Sequence, residues 1–206
     1  MSMPLSALIA SAALAVAVSL PAAATVIDFD AVPTPQQEEV IGNGFAGFNW
    51  DNIRILNPTT MPGLSQGYTT ASLASHQNWV GYTGNGQSGG FSSTSPFYLN
   101  SVLLTAGWSP SLYVIVTGYS DSARQDIAFI SRLYVNDTHV TAWNNTASGV
   151  PIESVTFSAP INPQDQVIFS GISYTPAVPE PESIALLGMG MLGLLLRRRV
   201  MTRRER

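Results

Sequence analysis

Cysteine and lysine are both missing from these 206 residues, and histidine occurs only twice. Without cysteine there are no disulfides, thiolate metal sites or cysteine nucleophiles. Without lysine there is no Schiff-base chemistry. His76 and His139 leave little material for an imidazole metal site. Positive charge is scarce wherever a folded body can form: Thr25–Val178 holds ten acidic residues and three arginines, Arg54, Arg124 and Arg132, a net of −7. Such a body repels phosphate backbones and has no basic patch interleaved with aromatics, which excludes nucleic acid as a partner. The other six arginines all fall between Arg197 and Arg206.

Both ends are apolar runs with informative flanks. Leu5–Leu20 is interrupted only by Ser6, Ser11 and Ser19, and Pro21-Ala22-Ala23-Ala24 follows. Ala22 and Ala24 form the small-x-small pattern that signal peptidase cuts, which predicts a signal peptide over residues 1–24 and cleavage before Thr25. Met1–Pro4 departs from the usual pattern in lacking Lys and Arg, so a buried N-terminal helix is the competing reading. At the other end, Ile184–Leu196 is thirteen apolar residues long, against the ~20 that a bilayer core asks for. Arginines behind a short span can snorkel to headgroups while the bilayer thins locally. Arg197, Arg198 and Arg199 then stay cytoplasmic under the positive-inside rule. The two ends agree on one topology, with Thr25–Val178 exported as a single 154-residue domain.

Pro179-Glu180-Pro181, the Leu/Gly/Met-rich segment after it and the arginine cluster together resemble the PEP-CTERM sorting signal of Gram-negative bacteria. The resemblance covers residues 179–206. It implies recognition by an exosortase, a membrane protease that removes the tail, in bacteria that make exopolysaccharide and form biofilms. It also implies roles for the parts: Pro179, Glu180 and Pro181 as the recognition motif, the apolar segment as a transient inner-membrane helix, and Arg197–Arg199 as its orienting cluster. An ordinary single-span tail anchor is the competing reading of the same residues.

The body reads as strands punctuated by turn residues. Candidates are Val26–Asp30, Phe48–Leu56, Trp79–Thr83, Phe97–Ala106, Leu112–Tyr119, Ile127–Val135, Val140–Trp143, Ile152–Phe157 and Gln166–Tyr174. Leu112, Val114, Val116 and Gly118 alternate with Tyr113, Ile115, Thr117 and Tyr119, the period-2 pattern of a half-buried strand. No window of a dozen residues in the body shows a helical repeat. The expected fold is therefore all-β, a sandwich or jelly roll of about nine short strands. Gly47–Asn52, Gly67-Tyr68, Leu99-Asn100-Ser101 with Leu104–Trp108, Leu112–Gly118 and Val167–Tyr174 resemble a recurrent domain of PEP-CTERM proteins, itself similar to galactose-binding-like jelly rolls. Relatives carry an acid in the last strand where this chain has Ser170-Gly171, a departure that weakens any calcium site the resemblance implies.

Motifs for catalysis are thin. Gly84-Asn85-Gly86-Gln87-Ser88-Gly89 matches G-x-G-x-x-G, but Gly90–Pro96 cannot open the helix a dinucleotide needs, so a flexible hairpin loop is expected. No G-x-S-x-G elbow occurs. Asp51, Glu153 and Asp165 give no spacing signal for an acid/base pair. Asp28 and Asp30, two apart on an expected strand, point to one face and form the candidate Ca²⁺ site, although calcium wants six to eight oxygens. Large rings are plentiful. Trp50 and Trp108 lie in strand-like contexts and read as core. Trp79 and Trp143, nearer turns, read with Asn78, Asn85 and Asn144 as the candidate sugar-binding set. Asn136-Asp137-Thr138 and Asn144-Asn145-Thr146 fit the glycosylation sequon, which here marks surface loops.

The expectation is a non-catalytic exported protein of the cell surface or extracellular matrix, without cofactor, sorted by an exosortase after signal peptidase and associated with extracellular polysaccharide. A carbohydrate-binding module with a defined sugar site is the neighbouring reading. A secreted hydrolase is the competing class.

Overall fold

The computed structural model describes residues 22–32, 37–147, 149–159 and 165–177. The expected signal segment up to Pro21 and the whole sorting tail from Val178, including Pro179, Glu180, Pro181 and Arg197–Arg199, lie outside the described residues. Eleven strands and one α-helix occur among them: β1 (Thr25–Val26), β2 (Glu38–Val40), β3 (Asn49–Asp51), β4 (Ile53–Leu56), α1 (Gln66–Ser75), β5 (Val80–Thr83), β6 (Gly89–Ala106), β7 (Ser111–Tyr119), β8 (Ile127–Asn136), β9 (Thr141–Asn144), β10 (Ile152–Ser158) and β11 (Val167–Pro176). Every pairing is antiparallel, in the order β2-β4-β5-β11-β6-β10-β7-β8, with β1 on β11 and both β3 and β9 on β6. The all-β jelly-roll-like expectation is met.

β6 explains how one chain makes two layers. Its first residues, Gly89–Ser92, pair with β3 and β10, whereas Phe97–Ala106 pairs with β11 and β9. Between them lie exposed Thr94, Ser95 and Pro96; proline removes a ladder donor and belongs where a strand changes partner. Close approach also demands Gly90, where an added Cβ would stand 2.0 Å from the Val155 carbonyl oxygen. The layers meet through rings from strands that are not paired to each other. Phe157 of β10 stacks on Phe169 of β11 at 5.0 Å, and Phe129 of β8 lies 5.9 Å from Trp143 of β9. Phe91, Phe97, Phe157 and Phe169 are all fully buried in this core.

Three local expectations are corrected. The strand expected over Phe48–Leu56 breaks into β3 and β4 at Asn52, which takes a left-handed φ of 50°. Asparagine tolerates that region because its short amide bonds locally. Here its Nδ2 donates to the carbonyls of Gly84 and Ser88, both at 3.0 Å. The glycine-rich hairpin is therefore pinned, and Gly84–Gly86 forms a short 3₁₀ turn that runs on into β6. Likewise the strand expected over Val26–Asp30 stops at Val26, and a 3₁₀ turn spans Phe29–Ala31.

The third correction is α1. Only Tyr68 and Ala71, with small Gly67 and Ser72, face the sheet, while Leu73 is 71% exposed. That distribution hides the helical period that a sequence reading looks for. Gly67 permits the contact: an added Cβ would fall 1.8 Å from the Ala106 carbonyl oxygen of β6. Beneath α1 sits a second, smaller cluster of Leu56, Tyr68, Ala71, Val80, Tyr82 and Ile168. His76, whose φ of 57° ends the helix, is an exposed cap.

Candidate functional site

The residues singled out in the sequence are not gathered in one place. Asp28 caps the turn over Phe29–Ala31, its Oδ1 accepting from the Asp30 amide at 2.9 Å. Asp30 accepts from the Asn78 amide at 3.1 Å, from Asn78 Nδ2 at 3.0 Å and from the Trp79 amide at 2.9 Å. The carboxylate thus latches the segment after α1 onto the first turn. Because a turn intervenes, the two carboxylates do not share a strand face as the calcium reading required. Among the described residues no group of three or more His, Asp or Glu is placed to hold a metal. Asn78 and Trp79 are held by this latch, and Trp79 is half-buried against the core.

Trp143 lies elsewhere and is 4% exposed, so its ring fills the core instead of facing a sugar. Its nearness to a turn misled; Phe129, on the opposite layer, covers it. Trp50 is core as expected, with its indole N–H donating to the Phe45 carbonyl at 3.0 Å. Trp108 is the reverse case, 47% exposed, with its N–H on Gln166 Oε1 at 3.0 Å. The hydroxyl of Tyr68 donates to the same oxygen.

The acidic residues are engaged one by one. Asp51 pairs with Arg124 at 2.8 Å, Glu153 accepts from the Ser122 amide at 3.1 Å, and Asp165 accepts from the Ser109 hydroxyl. Asp121, in the β7–β8 connection, collects the amides of Gln125 and Asp126, and these backbone donors, Asp126 first, hold its carboxyl below the usual range. Glu38 pairs with Arg54 at 2.7 Å and accepts from the Tyr82 hydroxyl. Burial, followed by Glu38, pushes the Tyr82 and Tyr68 hydroxyls well above the ordinary tyrosine range. His139 is tied into its own turn, its amide on Asn136 Oδ1 at 2.7 Å and its Nδ1 at 2.8 Å from the Thr138 hydroxyl. A groove of about 770 Å³ opens between β1 and the β2–β3 connection, lined chiefly by Val26, Ile27, Val40, Ile41, Phe45 and Tyr174.

The most developed surface is the outer face of β7 and β8. Antiparallel register sets Tyr113 opposite Tyr134, Ile115 opposite Arg132 and Thr117 opposite Ile130. Tyr113 and Tyr134 are 62% and 57% exposed, with ring centroids 5.3 Å apart and planes at 63°. Ile127 and Ile130 are also more than half exposed. Sequence alone gives Tyr113 and Tyr119 only within the β7 alternation and Arg132 only as one of three body arginines, and does not single out Tyr134. The alternation of Ile130, Arg132 and Tyr134 with Ser131, Leu133 and Val135 along β8 was the available signal.

Comparison with known proteins bears first on the tail. Residues 177–199 match the PEP-CTERM protein-sorting motif, a span that includes Pro179-Glu180-Pro181 and Arg197–Arg199. The chain carries this sorting motif, which implies an exported protein sorted by an exosortase through a membrane-anchored intermediate. No described helix is long and apolar enough to cross a membrane, and the apolar run Ile184–Leu196 lies outside the described residues. No curated protein matches the chain. Among solved structures, the arabinose-bound MgGH51 α-L-arabinofuranosidase is similar with a TM-score of 0.39 and 13% identity, over 69% of this chain and 26% of that one. The chain thus spans about a quarter of that enzyme's length. The Stig cyclase Fisc from Fischerella sp. TAU, in complex with (3Z)-3-(1-methyl-2-pyrrolidinylidene)-3H-indole, aligns with a TM-score of 0.40 and 15% identity, over 76% of this chain and all of that one.

Proposed function

We propose that this chain is a non-catalytic, cofactor-free protein of the cell surface or extracellular matrix, delivered by its tail to an exosortase and associated with extracellular polysaccharide. The match of residues 177–199 to the sorting motif carries the reading. In it, signal peptidase acts after Ala24, exposed just before β1, and the tail holds the domain at the inner membrane until the exosortase acts. Intact mass of the mature protein from cells with and without the exosortase is the test. The expected result is a C-terminus shortened at the tail only when the enzyme is present; the same terminus in both strains defeats the proposal.

The neighbouring reading, a carbohydrate-binding module, draws support from the exposed tyrosine face of β7 and β8. Trp143, buried in the core, is withdrawn from any such site, which leaves the tyrosine face as its support. Retardation in a polysaccharide-containing gel checks it. Unchanged migration across neutral and acidic polymers would leave the exported-protein reading alone.

A further inference from the structure

Of the three arginines in the folded body, Arg54 and Arg124 are each paired with a carboxylate, at 2.7 and 2.8 Å. Arg132 has no ion pair among the described residues, although the body around it is strongly acidic. It is exposed at the middle of β8, two residues from Tyr134, a separation of about 7 Å along a strand. No Asp or Glu occupies the rows that cross β10, β7 and β8 through Tyr113, Ile115 and Thr117. A lone guanidinium is therefore set on the same strand face as two tyrosine rings and the side chains of Ile115 and Ile130.

From this juxtaposition we infer that Tyr113, Arg132 and Tyr134 bind an acidic polysaccharide, a polymer of uronic acid residues. The inference deepens the carbohydrate-binding reading and rests on it. Tyrosine rings offer flat apolar faces to the C–H face of a pyranose, and their hydroxyls remain free for hydrogen bonds. A guanidinium presents a planar fork of donors that matches a carboxylate in a bidentate pair. The net charge of the domain opposes any polyanion at long range, but at physiological salt that repulsion is screened beyond about 8 Å. The local contact then decides. A second copy laid on this face meets the first poorly, because it brings another Arg132 and no acid to these rows.

The test uses the full chain purified in detergent, with polygalacturonate and its fully methyl-esterified form as paired probes. Esterification removes the carboxylate charge and leaves the sugar ring. Polygalacturonate is expected to bind at least roughly tenfold more tightly than the ester, with affinity falling as salt rises. Arg132→Gln is expected to abolish that preference, and Arg132→Lys to keep part of it. Tyr113→Ala and Tyr134→Ala are expected to weaken both probes; all three side chains stand on the surface, and near-ultraviolet circular dichroism checks that the variants fold. Equal affinity for the two polymers overturns the acidic-sugar inference while leaving a sugar module standing. Binding of neither polymer overturns both. Concentration-dependent dimers in light scattering that Tyr134→Ala disperses would assign the face to a second copy and overturn the inference as well.

Discussion

The two apolar clusters of this domain are built from different materials. The main one, between the layers, has no tyrosine among its buried members: Phe91, Phe97, Phe157 and Phe169 with Trp50, Trp143 and aliphatic Val, Ile and Leu around them. The smaller one, under α1, is organised by two tyrosines whose hydroxyls reach Glu38 and Gln166. A core of aliphatic, phenyl and indole side chains depends on packing and carries no titratable group. A tyrosine core also depends on keeping its hydroxyls protonated, so it links part of the fold to solution conditions.

The largest expected effect lies in the main cluster. Phe157→Ala or Phe169→Ala is expected to cost about 3–5 kcal/mol, since each ring leaves a cavity facing the other layer; denaturant melts measure it. Next comes Gly67→Val, which forces a side chain into the Ala106 carbonyl and should cost about 1–3 kcal/mol by lifting α1 off β6. Tyr82→Phe removes one hydroxyl and leaves Glu38 with Arg54, an expected loss of about 1 kcal/mol near neutral pH.

The same variant carries the pH signature. Tyr68 and Tyr82 have raised hydroxyl pKa values in the fold, so their contribution is fully present below the ordinary tyrosine value of about 10 and is lost as pH rises above it. Wild-type stability should therefore fall above that pH, less steeply in Tyr82→Phe and least in the double Phe variant. An unchanged alkaline slope would erase the contrast between the two clusters. Smallest of all is Leu73→Ser on the open side of α1, expected to stay within about 0.5 kcal/mol.

How far the sequence could be read follows the same division. Strand β7 was legible because its inner residues, Leu112, Val114 and Val116, serve one simple demand, burial against the opposite layer. Helix α1 was not, because a short helix on a sheet needs only Tyr68, Ala71 and two small neighbours, which no period reveals. Trp108 and Trp143 exchanged their expected places because burial depends on what lies across the sandwich, and Phe129 is fourteen residues away from Trp143 in the chain. The candidate site was half visible. Tyr113 could be named from alternation, but singling out Arg132 required knowing that Arg124 reaches Asp51, 73 residues away.

Strand β6 serves both layers, Gly89–Ser92 in one and Phe97–Ala106 in the other. Neither layer can melt while the other keeps its full complement of strands. Heat should therefore remove the whole β domain in one cooperative step, with calorimetric and van't Hoff enthalpies in agreement. An exported protein gains from this, because an all-or-none fold offers few half-open forms for proteases to attack.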